Sequence, residues 1–377
     1  MPHAPRVRRS TGVAALVLSL MAATGSAVAA DPDDAAPAGL YETAYAWSVL
    51  RDPTPIAGLA IPAIDRMNGG RQVTVTRQGV GAYRITYVGL GSLVFSFDPP
   101  NLGIVMVTPI GKQTRLCEAS NPGYGPAGID LYYDVACHDR SGAPADTAFV
   151  SGWTYMNSVA PDGVVAAYAQ NEVVNGTGTP EVDEQYSSGT GVLGSERVGE
   201  GIYRVTAPGV DTYDGVMLVG PQPTAQTARC AADGWSADGS GLTMDTWCRG
   251  AGGVLTNAAY RFIYLRGTGM NGFAARPAAH LRTYDASASG YRAPAFHRWS
   301  SSGKAPWIVR TARGRYTVTL RGLPKGGAAW VGARGTGTVL CQLAGLRNGS
   351  APPRADVICR DTTGATADAT FSLVWTK

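Results

Sequence analysis

The stretch CRDTTGATADATFSLVW (359–375) has the same skeleton as CHDRSGAPADTAFVSGW (137–153) and, more faintly, as CRGAGGVLTNAAYRFIY (248–264). Counted from the cysteine, a Gly follows at the fifth position, an Asp or Asn at the ninth, and aromatic residues at the twelfth and sixteenth. Asp and Gly favour turns, and the alternating residues after them favour a strand. The skeleton therefore predicts a β-hairpin that closes each of three homologous units.

A second block recurs upstream as RQGVGAYRITYVGL (77–90), RVGEGIYRVTAPGV (197–210) and RTARGRYTVTLRGL (310–323). Its alternation predicts a strand, and the Gly two residues before the Tyr indicates a turn with positive φ or a close backbone approach. We expect the recurrent Arg to pair across the sheet and the recurrent Tyr to lie in the core. The expected pairs join Arg77, Arg197 and Arg310 to Asp146, Asn257 and Asp368, and the core tyrosines are Tyr83, Tyr203 and Tyr316.

Each unit holds about seven predicted strands over roughly 110 residues, which suits a β-sandwich or compact barrel and is too long for one solenoid rung or propeller blade. The predicted fold is all-β, with three tandem disulfide-containing sandwich or barrel domains standing in a row after a cleaved signal peptide. The expected divisions are a signal peptide at 1–30, a linker at 31–40, repeat 1 at 41–155, repeat 2 at 156–266 with an inserted loop at 171–191, and repeat 3 at 267–377.

Six cysteines fall two to a unit, and repeat symmetry favours pairing within each unit among the many connectivities that six cysteines allow. The expected pairs are Cys117 with Cys137, Cys230 with Cys248, and Cys341 with Cys359. A metal site is disfavoured because no CxxC or HxxxH spacing occurs.

The first thirty residues combine a basic segment, an apolar segment and the small-residue site AVAA before Asp31, which predicts a cleaved secretory signal and a secreted, extracellular protein. Removing its three arginines from the 32 Lys and Arg leaves 29 basic against 28 acidic residues. A nearly neutral chain without a basic run argues against nucleic acid. No later segment is long and apolar enough to predict a membrane span.

The combined pattern of Arg, Gly, Tyr, paired Cys, Gly, Asp and aromatic residues resembles a repeat found in secreted proteins of high-GC soil bacteria, often with YAW and NGG motifs. Here these motifs are Tyr45-Ala46-Trp47 and Asn68-Gly69-Gly70. Unit 2 departs from the pattern at Gly250 and Asn257, where the other units have Asp. The resemblance implies export and a β-rich fold, and it implies no activity or catalytic residues.

No catalytic motif such as GxSxG, HExxH or GxxxxGK is present. After signal removal the histidines are His138, His280 and His297, none at equivalent positions, and we assign no catalytic residue, metal ligand or cofactor. The acids Glu181, Asp183 and Glu184 cluster in a Gly/Thr-rich insert that reads as a solvated loop. Two turns, each bracketed by a pair of acids, suit either Ca²⁺ or simple Asx capping, and capping is favoured. These pairs are Asp139 with Asp146 and Asp361 with Asp368.

Aromatic residues that differ between the units are candidates for contact surfaces, although Trp in a small β-domain is usually core. They are Trp235, Trp247, Trp299, Trp307, Trp330, Tyr124, Tyr132, Tyr133 and Tyr291. The favoured function is a secreted, non-catalytic binding or adhesion protein for an unknown extracellular ligand or cell-envelope component, either a polysaccharide or a partner protein. The alternatives are a secreted hydrolase that uses one divergent repeat and a passive structural protein of a coat or matrix.

Overall fold

A computed structural model of the chain describes residues 43–55, 58–91, 103–156, 164–172, 182–223, 228–272 and 275–377. The predicted signal peptide, the linker and Glu181 lie outside the described residues. The prediction of an all-β fold is confirmed, because nearly all regular structure is strand. Short 3₁₀ helices occur at Ala63–Asp65, Pro126–Gly128, Ala251–Gly253 and Ala295–His297. No helix in the described part of the chain is long and apolar enough to cross a membrane.

The strands fall into three groups in chain order, here called units 1, 2 and 3. Unit 1 contains β1 (Thr43–Leu50), β2 (Leu59–Ala60), β3 (Arg66–Met67), β4 (Val73–Gly79), β5 (Ala82–Tyr87), β6 (Ile104–Ile110), β7 (Arg115–Ala119), β8 (Gly123–Tyr124), β9 (Leu131–Asp139) and β10 (Ala148–Met156). Unit 2 contains β11 (Val165–Asn171), β12 (Val182–Ser187), β13 (Gly194–Gly199), β14 (Ile202–Pro208), β15 (Val216–Pro221), β16 (Arg229–Ala237), β17 (Gly241–Arg249) and β18 (Tyr260–Arg266). Unit 3 contains β19 (Ala278–Arg282), β20 (Gly290–Tyr291), β21 (Arg298–Ser300), β22 (Trp307–Ala312), β23 (Arg315–Thr319), β24 (Ala328–Ala333), β25 (Val339–Arg347), β26 (Arg354–Asp361) and β27 (Phe371–Thr376).

Each unit has the same pair of sheets. The inner sheets have the orders β3-β1-β10-β6, β12-β11-β18-β15 and β21-β19-β27-β24. The outer sheets run β2-β4-β5-β9-β7, β13-β14-β17-β16 and β20-β22-β23-β26-β25, and β8 pairs with β9. In unit 1 the two sheets enclose one apolar cluster that includes Phe149 and Trp153 from the inner sheet and Tyr83 and Ile85 from the outer sheet. Each unit is therefore a β-sandwich.

The three units are joined rather than separate. The outer strand β25 of unit 3 pairs in parallel with β6 of unit 1 at Leu343 and Ile110, which merges two sheets into one of nine strands. An equivalent parallel bridge joins Ala232 of unit 2 to Arg334 of unit 3. At the remaining junction, the buried Arg261 of unit 2 donates a hydrogen bond to the carbonyl oxygen of Ala119 in unit 1 (2.8 Å). The expected row of tandem domains is thus a closed ring of three units.

The inner sheets carry this ring because both of their faces are buried. Along β10, Phe149 and Trp153 point into the core of unit 1, whereas Val150 and Met156 belong to a second cluster shared by all three units. Trp330 of unit 3 enters this shared core and donates its indole N–H to the carbonyl oxygen of Met106 (3.1 Å). Gly152 makes the room, since a Cβ there would lie 2.4 Å from the Trp330 ring.

The disulfides join directly opposite residues of the β7–β9, β16–β17 and β25–β26 pairs. They are Cys117–Cys137, Cys230–Cys248 and Cys341–Cys359, as expected, and the described part of the chain has no free cysteine. The first cysteine of each pair lines a cavity of ≈ 40 Å³ where the three units meet. That volume holds a few water molecules at most, so the centre of the ring is packed rather than a ligand channel.

The recurrent Arg fixes the hairpin turn of its unit, as predicted. In unit 1, Arg77 donates two hydrogen bonds to the Asp146 carboxylate (3.0 and 2.8 Å), and the same carboxylate accepts the backbone N–H of Gly81 (2.9 Å). The equivalent bonds join Arg310 and Gly314 to Asp368, and Arg197 and Gly201 to Asn257. The Tyr hydroxyl closes each tie by accepting a backbone N–H from Thr147, Ala258 or Ala369.

Gly81 meets both conditions that its position in the repeat predicted. Its φ is +68°, and a Cβ there would lie 2.3 Å from the carbonyl oxygen of Cys137. We expect Gly81→Ala to destabilise the protein by more than the roughly 1–2 kcal/mol of the left-handed backbone alone, because the backbone collision adds to it. Gly79→Ala in the same hairpin is the matched control, since its Cβ would meet nothing within 4 Å. Urea unfolding measures both, and equal losses would contradict the expectation.

The ion pair between Arg310 and Asp368 should weaken in acid. Arg310 above all lowers the pKa of Asp368 to about 2, below the unfolded value of about 3.9. Stability from this carboxylate is therefore complete above pH ~4 and is lost as the pH falls towards 2. Asp368→Asn retains the acceptor oxygen that Asn257 provides in unit 2, but it carries no charge.

We expect Asp368→Asn to be less stable than the parent at pH 7, with a difference that shrinks towards zero near pH 2 in urea unfolding. Asp211→Asn serves as the control. The Asp211 carboxylate accepts a hydrogen bond from the exposed backbone N–H of Gly239 and, among the described residues, forms no ion pair with an arginine. A loss of stability in Asp368→Asn that stays constant across this pH range would rule out the ion pair between Arg310 and Asp368 as its source.

Candidate functional site

The three histidines lie in three different environments. His138 Nε2 is 3.3 Å from a carboxylate oxygen of Glu118, whose pKa is raised by burial. His280 is buried against the Trp299 ring, and burial lowers its pKa to about 3. His297 contacts two aromatic rings, and burial followed by two nearby arginines lowers its pKa to about 4. His280 and His297 have Arg282 as a common neighbouring charge, whereas His138 lies on β9 of unit 1.

One acid of each pair caps its hairpin turn, as in the favoured interpretation, and the other acid does not. Asp139 accepts the backbone N–H groups of Ser141 (2.8 Å) and Ala143 (3.1 Å), and Asp361 does the same in unit 3. Their sequence partners Asp146 and Asp368 bind arginine instead. Asp183 and Glu184 lie on strand β12, so the prediction of a loop at these two residues is wrong. Over the described ranges no three His, Cys, Asp or Glu residues come together in an arrangement that could hold a metal ion.

The candidate aromatic residues are spread over all three units. Trp330, Tyr133 and Tyr291 are buried, and Tyr124 packs against the core of unit 1. Several others are paired with a neighbouring cation or ring: Tyr132 with Arg84, Trp247 with Arg249, Trp307 with Arg292, and Trp299 with His280. Trp235 alone among the nine has two arginines over its ring.

Trp235 belongs to a set of three positions that recurs at each junction between units. The first position is the fifth residue after the first cysteine, and the second is the third residue after the apolar run IVMV (104–107), VMLV (216–219) or AAWV (328–331). The third is the residue that pairs with the position thirteen after the second cysteine. At the junction of units 3 and 1 they hold Leu346, Ile110 and Val49; at that of units 1 and 2, Pro122, Gln222 and Gln170; and at that of units 2 and 3, Trp235, Arg334 and Arg282.

The side chains at these equivalent positions are therefore apolar at one junction, neutral and polar at the second, and cationic at the third. Leu346 and Val49 are buried in the shared apolar core, and Ile110 packs against it. Gln222 donates to Gln170 (2.6 Å), so these positions are polar but neutral, and the buried cation of that junction is Arg261 at a different position. At the junction of units 2 and 3, the guanidinium carbons of Arg282 and Arg334 lie 5.0 and 4.9 Å from the centroid of the Trp235 ring. This trio is called the arginine–tryptophan cluster below.

The cluster is positively charged, with Arg282 buried and with Arg334 and Trp235 half-buried. Arg282 is only 5% exposed, and burial, followed by repulsion from Arg334, lowers its pKa to about 10. Burial also lowers the pKa of Arg334. Within the described residues neither guanidinium forms an ion pair; the neighbouring Asp214 is bound to Arg266 (2.6 Å). Asp233 acts on Arg334 only from beyond ion-pair distance, so a buried and a half-buried cation lack a directly bound carboxylate in the described part of the chain, an arrangement that costs stability.

Backbone carbonyl groups hold the cluster in place. Arg282 donates to the carbonyl oxygen of Phe296 (3.3 Å), Arg334 to that of Thr283 (3.1 Å), and the indole N–H of Trp235 to that of Tyr213 (3.0 Å). Because these bonds fix the side chains without neutralising them, the cluster is rigid and remains cationic.

No protein-family model matches the chain, and neither the curated proteins nor the solved structures that were searched include a match. The resemblance to secreted bacterial repeat proteins therefore stays a prediction. Of the cluster, the sequence analysis singled out only Trp235. Arg282 and Arg334 were missed, although aligning Arg334 with Ile110 and Gln222 shows a charge where the other copies have none.

Proposed function

We propose that this protein is an exported, non-catalytic binding protein that engages an extracellular polysaccharide or partner protein through the junction of units 2 and 3. The observation that carries the proposal is the difference between the three junctions. At the junction of units 3 and 1 the same three positions hold the apolar Leu346, Ile110 and Val49, beside the β25–β6 bridge and polar contacts elsewhere in that junction. Buried cations at the equivalent positions are not needed for closure, which supports a role in binding.

The three disulfides support the export half of the proposal. Disulfides persist in oxidising compartments and are rare in the reducing cytosol. Their presence in every unit agrees with the predicted secretory signal at 1–30.

A variant in which the three cluster residues are replaced by the apolar residues of the junction of units 3 and 1 tests the role of the cluster. We expect the triple variant Trp235→Leu, Arg282→Val, Arg334→Ile to gain about 1–4 kcal/mol in free energy of unfolding, the range seen when apolar residues replace buried charges. The same variant should lose the hits that the parent protein gives on a glycan and envelope-fraction array. Urea unfolding and array binding are measured on the same preparations.

The exposed pair of Trp307 and Arg292 provides the control, because it has the same chemistry outside the junction. Trp307→Leu with Arg292→Val should leave both stability and array binding near those of the parent. A triple variant that is less stable than the parent and keeps its hits would mean that the cluster only supports the fold.

A further inference from the structure

The arginine–tryptophan cluster has hydrogen-bond donors that no group among the described residues satisfies, and this inference about its ligand rests on the proposed function. The Nε–H groups of Arg282 and Arg334 are both buried and lack a hydrogen-bond partner in the described part of the chain. Buried donors are normally paired, and each unpaired one costs stability. Because the Arg334 side chain is only half-buried, an anionic group that reaches it from outside would offset the charge at this junction.

Guanidinium groups are suited to such an acceptor. Their planar fork matches the oxygens of a carboxylate or sulfate group, and charge-assisted bonds of this kind are about twice as strong as neutral ones. In partly buried surroundings the attraction is also less screened by water. An anion seated here would compensate both positive charges at once.

Exposed aromatic rings border the cluster. Tyr213, Tyr284 and Phe296 are 54%, 48% and 51% exposed. Tyr213 and Phe296 provide carbonyl groups that hold the cluster, and Tyr284 follows Thr283, which provides the third. His297 links the rings of Tyr284 and Phe296, with centroids 6.0 and 4.4 Å from its own. The rings are therefore tied to the same framework as the arginines.

We infer that the junction of units 2 and 3 binds an acidic polysaccharide: its carboxylate or sulfate group sits on Arg282 and Arg334, and its sugar rings pack on Tyr213, Tyr284 and Phe296. Flat, rigid rings offer contact area to the apolar faces of sugars at little entropic cost. A nucleic acid is disfavoured because it needs positive charge along an extended path, whereas this site holds two localised cations beside aromatic rings.

The test measures binding of the full chain to polygalacturonate, dextran sulfate, neutral dextran and poly-glutamate by isothermal titration calorimetry. We expect binding to polygalacturonate or dextran sulfate, and the stronger of the two identifies the anionic group. Neutral dextran should not bind. Arg282→Gln and Arg334→Gln should each weaken binding about tenfold or more, as expected for a hydrogen bond to a charged group. Tyr213→Ala should also weaken it, since the sugar rings contribute.

Arg292→Gln is the matched control, because Arg292 lies over the Trp307 ring elsewhere in unit 3; its affinity should equal that of the parent. Thermal melts of every variant confirm that it is folded. Poly-glutamate binding as tight as that of the acidic polysaccharides, unaffected by Tyr213→Ala, would overturn the inference in favour of an acidic peptide.

Two results separate this inference from the proposed function. A neutral glycan that binds in a Tyr213-dependent and arginine-independent manner would overturn the acidic ligand and leave a binding role for the junction. Absence of binding to all four polymers, together with a triple junction variant that is destabilised, would overturn both.

Discussion

Burial of the inner sheets on both faces is the constraint on which the rest of the structure depends. Strand β10 alternates between two cores, with Phe149 and Trp153 facing the outer sheet of unit 1 and Val150 and Met156 facing the other units. A unit taken alone would expose the second set to water, at a cost of roughly 25 cal/mol per Å² of apolar surface. The three units therefore stabilise one another, and the ring is one cooperative structure rather than three independent domains.

The disulfides do not carry this cooperativity. Each joins neighbouring strands of one outer sheet across a sequence separation of 20, 18 or 18 residues, so it restricts a local loop in the unfolded chain, by about 3 kcal/mol in the entropic account. No disulfide crosses a junction. Closure of the ring instead depends on apolar packing around Trp330, on parallel bridges such as Leu343 to Ile110, and on the buried Arg261.

This division explains which parts of the fold the sequence could predict. Arg77, Gly81 and Asp146 act within their own hairpin, so the same chemistry is needed in every copy and repetition makes it visible. The contacts between units involve residues that differ from copy to copy. The contact of Trp330 with Gly152, for example, cannot be found by comparing the three copies in the sequence. The runs IVMV, VMLV and AAWV are typical of buried strands, but periodicity does not reveal which surface covers them. A ring and a row consequently give the same sequence pattern.

The candidate site could not be predicted from the repeat for the same reason: its residues differ between the copies. Ring closure requires three junctions, and in this molecule they range from apolar through neutral polar to cationic at equivalent positions. Leu346 with Val49, and Gln222 with Gln170, are satisfied by their own partners, whereas Arg282 and Arg334 are each left with a buried donor that is not. Since the chain contains an apolar solution to the same packing problem, the unsatisfied charge reflects a constraint other than packing. A pseudo-symmetric ring offers a physical route to the proposed site: two junctions maintain closure, and the third can accommodate groups that lower stability and that we propose to bind a ligand.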